Sequence, residues 1–244
     1  MKDNNFMWTK EECNSFFKKT LGLELIDEEL INALTYLQAR NLSPNSSHGD
    51  WNIGFTPLKL IELVNFALEK TKGKLQDTRF KKVSEEIFPT IYFTLLLAKL
   101  NYGKHLIVSS DVPDIALVPI EALGDRRGNT INAFPLECIF LPPEVINNTA
   151  GENDSQKIAK LIIEKKFIKR YVPQTTLLIS LNKPIENLNI TEISDLLLKN
   201  EAQPFHQVWI FCNLGSDDIS LTQLCPSLLA YNLNIQTDLN PLLY

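Results

Sequence analysis

Two short apolar segments, VPDIALVP (112–119) and FPLECIFLPP (134–143), each carry one acidic residue. Asp114 lies near the start of the first segment and Glu137 interrupts the second. Both segments are rich in β-branched and other apolar residues, which is typical of buried strands. An ionised carboxylate in such a strand is costly to bury unless it is paired or binds a metal ion. The two segments therefore predict neighbouring strands in which each buried acid is expected to be paired or to bind a metal ion.

The segments around these two strands follow an order that restricts the fold. An apolar helix (84–101) and a strand (104–109) come first, and strands 114–121 and 134–141 carry the two acids. An amphipathic helix (154–170) and strands 175–181 and 207–212 follow. A strand, a helix and a second strand in succession predict a crossover that joins parallel strands. We therefore expect an α/β fold, with a mixed sheet that has helices on both faces.

The first 80 residues have a different, helical pattern. Thr9-Lys-Glu-Glu12 fits a capping box, and apolar residues recur at helical spacing between Glu28 and Ala39. Thr56-Pro57 is a helix cap followed by proline at the first helical position, and it predicts a helix through Leu68. These patterns predict an N-terminal helical layer (1–80) that precedes an α/β core (81–244).

The composition favours a protein of the cytoplasm. No apolar run reaches the roughly 20 residues that a membrane-spanning helix needs. The four cysteines, Cys13, Cys138, Cys212 and Cys225, show no C-x-x-C spacing, so we expect reduced thiols and a cytoplasmic location without membrane contact. The formal net charge of −5 does not favour tight, non-specific binding to nucleic acid.

Pro113-Asp114 on one strand, Glu137 on the next and the order of elements over residues 84–212 resemble the PD-(D/E)XK nuclease superfamily. The resemblance implies a restriction-endonuclease-like fold and metal-dependent hydrolysis of nucleic acid, with DNA favoured over RNA. It also implies that Asp114 and Glu137 bind Mg²⁺ or Mn²⁺. The chain departs from the family at one position, because the lysine expected two residues after the glutamate is Ile139.

A replacement for this lysine is available on the following helix. At about 100° per residue, Ile158, Leu161, Ile162 and Ile168 form the apolar face of helix 154–170, and Lys165 lies at the centre of that face. A lysine there must extend its ammonium group to solvent or meet a carboxylate. We therefore expect Lys165 to be the catalytic lysine beside Glu137 and Asp114, with Lys166 and Lys104 as weaker alternatives.

The remaining site residues are alternatives with competing structural interpretations. Glu86, or Glu85, is a candidate third metal ligand, although acids at this position also favour a helix N-terminus. Asp114 also fits the cap of a turn, and Glu137 also fits a solvent-facing position. His105 is expected to be a packed residue, and Asp217-Asp218 to cap a helix over 219–230.

Basic residues near the acid-bearing segments are candidates for contact with nucleic acid. Arg126 and Arg127 lie in the link between the two strands, and Lys166 belongs to a basic cluster with Lys165, Lys169 and Arg170. Solvated surface lysines are the alternative interpretation of each cluster. Two functions stay open: a metal-dependent nuclease, or a nuclease-like binding or assembly module without catalysis. A homodimer or larger assembly is compatible with both.

Overall fold

The computed structural model describes residues 54–70, 83–109, 114–121, 133–141, 153–181, 188–215 and 217–244, together with five isolated positions before residue 30. Within these ranges the protein has one eight-stranded sheet and four α-helices. The predicted mixed α/β class is therefore confirmed. The predicted helices before residue 54, and Arg126 and Arg127, lie outside the described residues.

The sheet follows the order of the chain from one edge to the other. Its strands are β1 (Gly54–Phe55), β2 (His105–Ser109), β3 (Ile115–Pro119), β4 (Phe134–Phe140), β5 (Thr176–Leu181), β6 (Gln207–Gly215), β7 (Asp218–Cys225) and β8 (Leu229–Asn234). Neighbouring strands are antiparallel from β1 to β4 and again from β6 to β8. The β4–β5 and β5–β6 pairs are parallel. A helix connects each of these parallel pairs, as predicted.

The helices cover the two faces of the sheet. They are α1 (Pro57–Lys70), α2 (Phe88–Lys99), α3 (Asp154–Ile162) and α4 (Ile190–Leu198). Residues of α1 and α2 share one apolar core with Leu136 and Cys138 of β4. Residues of α3 and α4 share a second core with Ile139 of β4 and Leu141 just after it. Successive residues of β4 therefore face opposite layers, as expected for a strand.

Three π-helical turns accompany the regular helices of the described ranges, and the last of them, Ile235–Leu239, follows β8. A π-helical turn, Val83–Ile87, precedes α2, and another, Ile163–Phe167, continues α3. Hydrogen bonds from i to i+5 define such turns, and they shift the direction of every following side chain. The second turn lies beside β4 and decides which lysine reaches it.

β1 and α1 fall within the predicted N-terminal layer and pack against the α/β core. Gly54 and Phe55 pair with β2, and Leu60, Leu63 and Val64 are buried in the same core as α2. An ideal Cβ on Gly54 would lie 3.0 Å from Leu106 Cδ1, so a larger residue at this position would crowd β2.

The helix predicted over 219–230 is wrong, because this part of the chain forms β7 and β8. Ile219 and Leu221 alternate with the more exposed Ser220, which is the two-residue period of a strand. Asp218 opens β7 and accepts a hydrogen bond from Asn234 Nδ2 at 2.9 Å. The aspartate therefore stabilises the strand pair instead of capping a helix.

Candidate active site on strands β3 and β4

The two acids face each other across neighbouring strands. The antiparallel β3–β4 ladder ends at the pair Ile115–Leu136, and Asp114 and Glu137 are the next residue of each segment beyond that pair. Continuing the same register places the two acids opposite each other. Facing residues of antiparallel strands have Cβ atoms about 5 Å apart and share one face of the sheet. The predicted adjacency of the two acid-bearing strands is therefore confirmed.

Asp114 extends the hydrogen-bond ladder between these strands. Its Oδ2 atom accepts a hydrogen bond from the Cys138 backbone N–H at 2.9 Å. This contact gives Asp114 a structural role, but a different one from the turn cap that was the alternative to metal binding. It uses one of the two carboxylate oxygens, and it holds the side chain against β4 in a fixed orientation.

Glu137 is buried, with 8% of its surface exposed, and it forms an ion pair with a lysine of the neighbouring helical layer. Lys166 Nζ donates a hydrogen bond to Glu137 Oε1 at 2.6 Å. Lys166 is equally buried, with 9% of its surface exposed. A buried carboxylate and a buried ammonium each need such a partner, because both lose the solvation of water.

The expected position of Lys165 is wrong, since its side chain is exposed and Lys166 is the lysine that contacts Glu137. The helical wheel places Ile158 and Ile162 correctly, because both are fully buried. It fails after the π turn Ile163–Phe167 begins, and Ile168, expected on the apolar face, is 78% exposed. One extra residue in a turn rotates the following side chains by about 100°, which replaces Lys165 by Lys166 at the sheet.

The negative charges of this region affect the pKa of the Cys138 thiol. Burial raises the pKa of Cys138 well above its usual value, and the charges of Asp114 and Glu86 raise the pKa further. The Thr90 hydroxyl, 3.8 Å from Cys138 Sγ, and the charge of Lys166 act in the opposite direction. Cys138 is therefore a protonated, packed thiol and not a nucleophile.

Tyr171 is a site residue that the sequence analysis missed. Its hydroxyl oxygen is buried and has no hydrogen-bond partner among the described residues. Burial raises the pKa of Tyr171 to about 12, and the charges of Glu137 and then Asp114 contribute to the rise. Tyr171 lies beyond the π turn, in the non-helical segment that follows Ile168 and Lys169. No sequence motif marks it.

The donor set fits a hard divalent cation. Mg²⁺ uses oxygen ligands and takes one or two carboxylates, with water and substrate phosphate in the other positions. Asp114 and Glu137 provide two such carboxylates. Among the described residues, no three side chains of the His, Cys, Asp or Glu type are grouped to hold a metal ion. The structure therefore does not bring Glu86, in the turn Val83–Ile87, into one ligand group with this pair.

The other candidate residues either lie away from this pair or have a different role from the expected one. Lys104 is exposed, and its Nζ lies 4.8 Å from the centre of the Tyr244 ring. His105 is buried, as expected, and burial lowers its pKa. Because Lys166 is buried against Glu137, it does not belong to the exposed basic surface on which it was expected to bind nucleic acid.

Comparisons of this chain with protein-family models, with curated proteins and with solved structures find no match. No helix in the described part of the chain is long and apolar enough to cross a membrane. The chemistry of Asp114, Glu137, Lys166 and Tyr171 is therefore the basis on which a function is proposed.

Proposed function

We propose that this protein is a divalent-metal-dependent nuclease that hydrolyses phosphodiester bonds, with DNA favoured over RNA as substrate. Asp114 and Glu137 hold the divalent cation, which is Mg²⁺ or Mn²⁺, and the ammonium group of Lys166 provides a further positive charge. The observation that carries the proposal is the buried contact of 2.6 Å between Lys166 and Glu137, on the strand next to Asp114.

The arrangement of elements supports this proposal. α2 precedes three antiparallel strands, β2 to β4, and α3 then connects β4 to the parallel strand β5. This is the order on which the resemblance to the PD-(D/E)XK superfamily depends, with the acids at the expected strands. A restriction-endonuclease-like fold is the part of the proposal that follows from it.

Lys166 supplies the positive charge that Ile139 lacks. Ile139 is buried in the core formed with α3 and α4, two residues after Glu137. The lysine instead comes from the turn after α3 and meets the glutamate from above the sheet. In this position its ammonium can hold a water by hydrogen bonding and stabilise negative charge on the phosphate as the reaction proceeds.

The roles of the residues follow from the reaction. Hydrolysis adds the oxygen of one water to phosphorus and breaks one phosphorus–oxygen ester bond, and the leaving oxygen takes up a proton. A bound divalent cation supplies an activated water and neutralises phosphate charge. Asp114 and Glu137 bind it, and the ladder contact of Asp114 and the ion pair of Glu137 fix the two carboxylates before substrate arrives.

The direct test is an incubation with plasmid, single-stranded DNA and RNA in Mg²⁺ or Mn²⁺, compared with EDTA. The proposal expects cleavage that requires the cation and that is lost in Glu137→Gln. Cleavage that persists in EDTA, or that Glu137→Gln retains in full, contradicts it. Preference for one of the three substrates assigns the nucleic acid.

A binding or assembly module without catalysis is the second candidate. The observation in its favour is that both acids already have structural partners, Cys138 N–H for Asp114 and Lys166 for Glu137. Ion-pair formation also competes with metal binding at Glu137. Binding of Mg²⁺ or Mn²⁺ measured by calorimetry separates the two functions, since a purely structural pair takes up no cation at millimolar concentration.

A further inference from the structure

The Tyr171 hydroxyl is a buried hydrogen-bond donor for which the described residues provide no acceptor. It has no partner among the described residues, although its oxygen is shielded from solvent. Buried hydroxyl groups in folded proteins are nearly always hydrogen-bonded, because an unpaired group loses its bonds to water without replacement. Tyr171 has one of five such buried side-chain atoms in the described part of the chain, and the charges of both Glu137 and Asp114 act on it. A partner that arrives with the substrate of the candidate site would satisfy this donor.

Aromatic packing holds this hydroxyl in place. The Tyr171 ring lies 4.6 Å from the ring of Phe205, measured between centroids, and Phe205 lies 5.9 Å from Phe167. Phe167 and Phe205 are both buried. The three rings connect the end of the π turn to the segment just before β6, so Tyr171 has little freedom to turn its hydroxyl elsewhere.

The surroundings of the hydroxyl decide what kind of group it can contact. It is close enough to Glu137 and Asp114 for their charges to raise its pKa to about 12, with burial as the largest cause. A phenol in this environment stays protonated at neutral pH, and it acts as a donor. A phosphate oxygen carries negative charge and accepts such a bond strongly. The cation and Lys166 offset the repulsion that two carboxylates exert on phosphate.

We propose that Tyr171 donates a hydrogen bond to a non-bridging oxygen of the phosphate on which the reaction occurs. The proton stays on Tyr171 throughout, and the bond strengthens as negative charge accumulates on the phosphate oxygens. This inference rests on the proposed function for its substrate class. The phosphate contact itself can be measured without turnover.

The variant for the test is Tyr171→Phe, which removes one oxygen atom and keeps the ring against Phe205. Because the hydroxyl has no partner among the described residues, we expect a melting temperature equal to or above that of the wild type. Tyr102→Phe is the matched control, since Tyr102 is 69% exposed and lies on the turn after α2. A fall in melting temperature limited to Tyr171→Phe indicates a structural hydrogen bond and overturns the proposal.

Two measurements then distinguish the phosphate contact from the nuclease activity. For cleavage in Mg²⁺, the proposal expects Tyr171→Phe to lower kcat by about 10- to 100-fold, with Mg²⁺ affinity in the absence of nucleic acid unchanged. For binding of inorganic phosphate with Mg²⁺, measured by calorimetry, it expects about tenfold weaker binding. Tyr102→Phe should match the wild type in all of these measurements.

Each outcome has a definite meaning. If the wild type cleaves and Tyr171→Phe cleaves and binds phosphate equally well, the role of Tyr171 is overturned while the nuclease stands. If the wild type does not cleave but Tyr171→Phe loses phosphate binding, the nuclease is overturned while the phosphate contact stands. If the wild type neither cleaves nor binds phosphate, both are overturned.

Discussion

The two helical crossovers of the sheet share the arrangement of strand, capped helix and strand. They differ in the side chains that reach the sheet after or along the helix. α3 connects β4 to β5, and α4 connects β5 to β6. An asparagine caps each helix: Asn153 accepts from Gln156 N, and Asn189 accepts from Glu192 N. After α3, a π turn brings the charged Lys166 to the sheet, whereas α4 ends as a regular helix whose buried side chains are Ile193, Ser194 and Leu197.

Comparing the two crossovers distinguishes the features that build the parallel connection from those that are available for a function. The second crossover shows that an apolar helix face and an asparagine cap are enough to build the parallel connection. The π turn and the buried ion pair of the first are therefore not required by the fold. π turns within helices are frequent at functional sites, and departures from regular packing are expected there. We interpret the first crossover as the one modified for chemistry.

The largest expected effect is on catalysis, through the two acids Asp114 and Glu137 beside the first crossover. Asp114→Asn and Glu137→Gln keep the size and hydrogen-bonding capacity of each side chain but remove the charge that holds a divalent cation. We expect each to lower the rate of Mg²⁺-dependent cleavage by about 10³-fold or more. Glu164→Gln, at an exposed position of the same π turn, is the control and should cleave at the wild-type rate.

The next effect is on stability, and it tests whether the core packs as well with an apolar pair as with the buried ion pair. Glu137→Leu leaves Lys166 buried without its partner and should lower the free energy of unfolding by about 3–5 kcal/mol. Adding Lys166→Met should restore most of this loss, because an apolar pair replaces the ion pair. Urea denaturation of the wild type and of these two variants measures both changes. A double variant as unstable as Glu137→Leu would show that the charges are needed for folding.

The second crossover should respond in the opposite way. Leu197 is fully buried on α4, and Leu197→Ala should lower the free energy of unfolding by about 2–4 kcal/mol through the cavity it leaves. Cleavage per folded molecule should not change, because α4 contributes no candidate site residue. If Leu197→Ala removes cleavage at a temperature where it is fully folded, the division between the two crossovers is incorrect.

The smallest expected effect is on stability, through the asparagine helix caps that the two crossovers share. Asn153→Ala and Asn189→Ala should each lower the free energy of unfolding by about 1 kcal/mol, since each removes a helix cap. Asn153→Ala should cost slightly more, because Asn153 Nδ2 also lies 3.1 Å from both carboxylate oxygens of Glu192. Thermal denaturation of both variants, with cleavage as control, measures this difference.

Strands β2 to β6 and most helix positions can be predicted from the sequence because their apolar periods are regular. The segments around Asp114 and Glu137 are predicted as adjacent strands, and they are. Two local irregularities limit the rest. Asn189 caps α4, a position that the sequence analysis did not assign. The strands after Asp217-Asp218 were not predicted because their two-residue period is short and interrupted by polar residues.

For the candidate site, the two acids were predicted, the lysine Lys166 was named only as a weaker alternative to Lys165, and Tyr171 was missed. Asp114 and Glu137 are recognisable because an acid within an apolar strand is conspicuous in any sequence. Lys165 and Lys166 are adjacent, and only the hydrogen bonding of the turn Ile163–Phe167 decides which one faces the sheet. A fixed 100° wheel cannot represent an i to i+5 turn. Tyr171 lies in the irregular segment after this turn, where no periodic pattern marks a residue.

The most direct test of this account compares two neighbouring lysines. Lys166→Met and Lys165→Met make the same chemical change one residue apart, at a buried and an exposed position. The account predicts that Lys166→Met lowers the rate of Mg²⁺-dependent cleavage by about 10²- to 10⁴-fold, while Lys165→Met stays within about twofold of the wild type. Equal rates for both variants, or a loss confined to Lys165→Met, would contradict it.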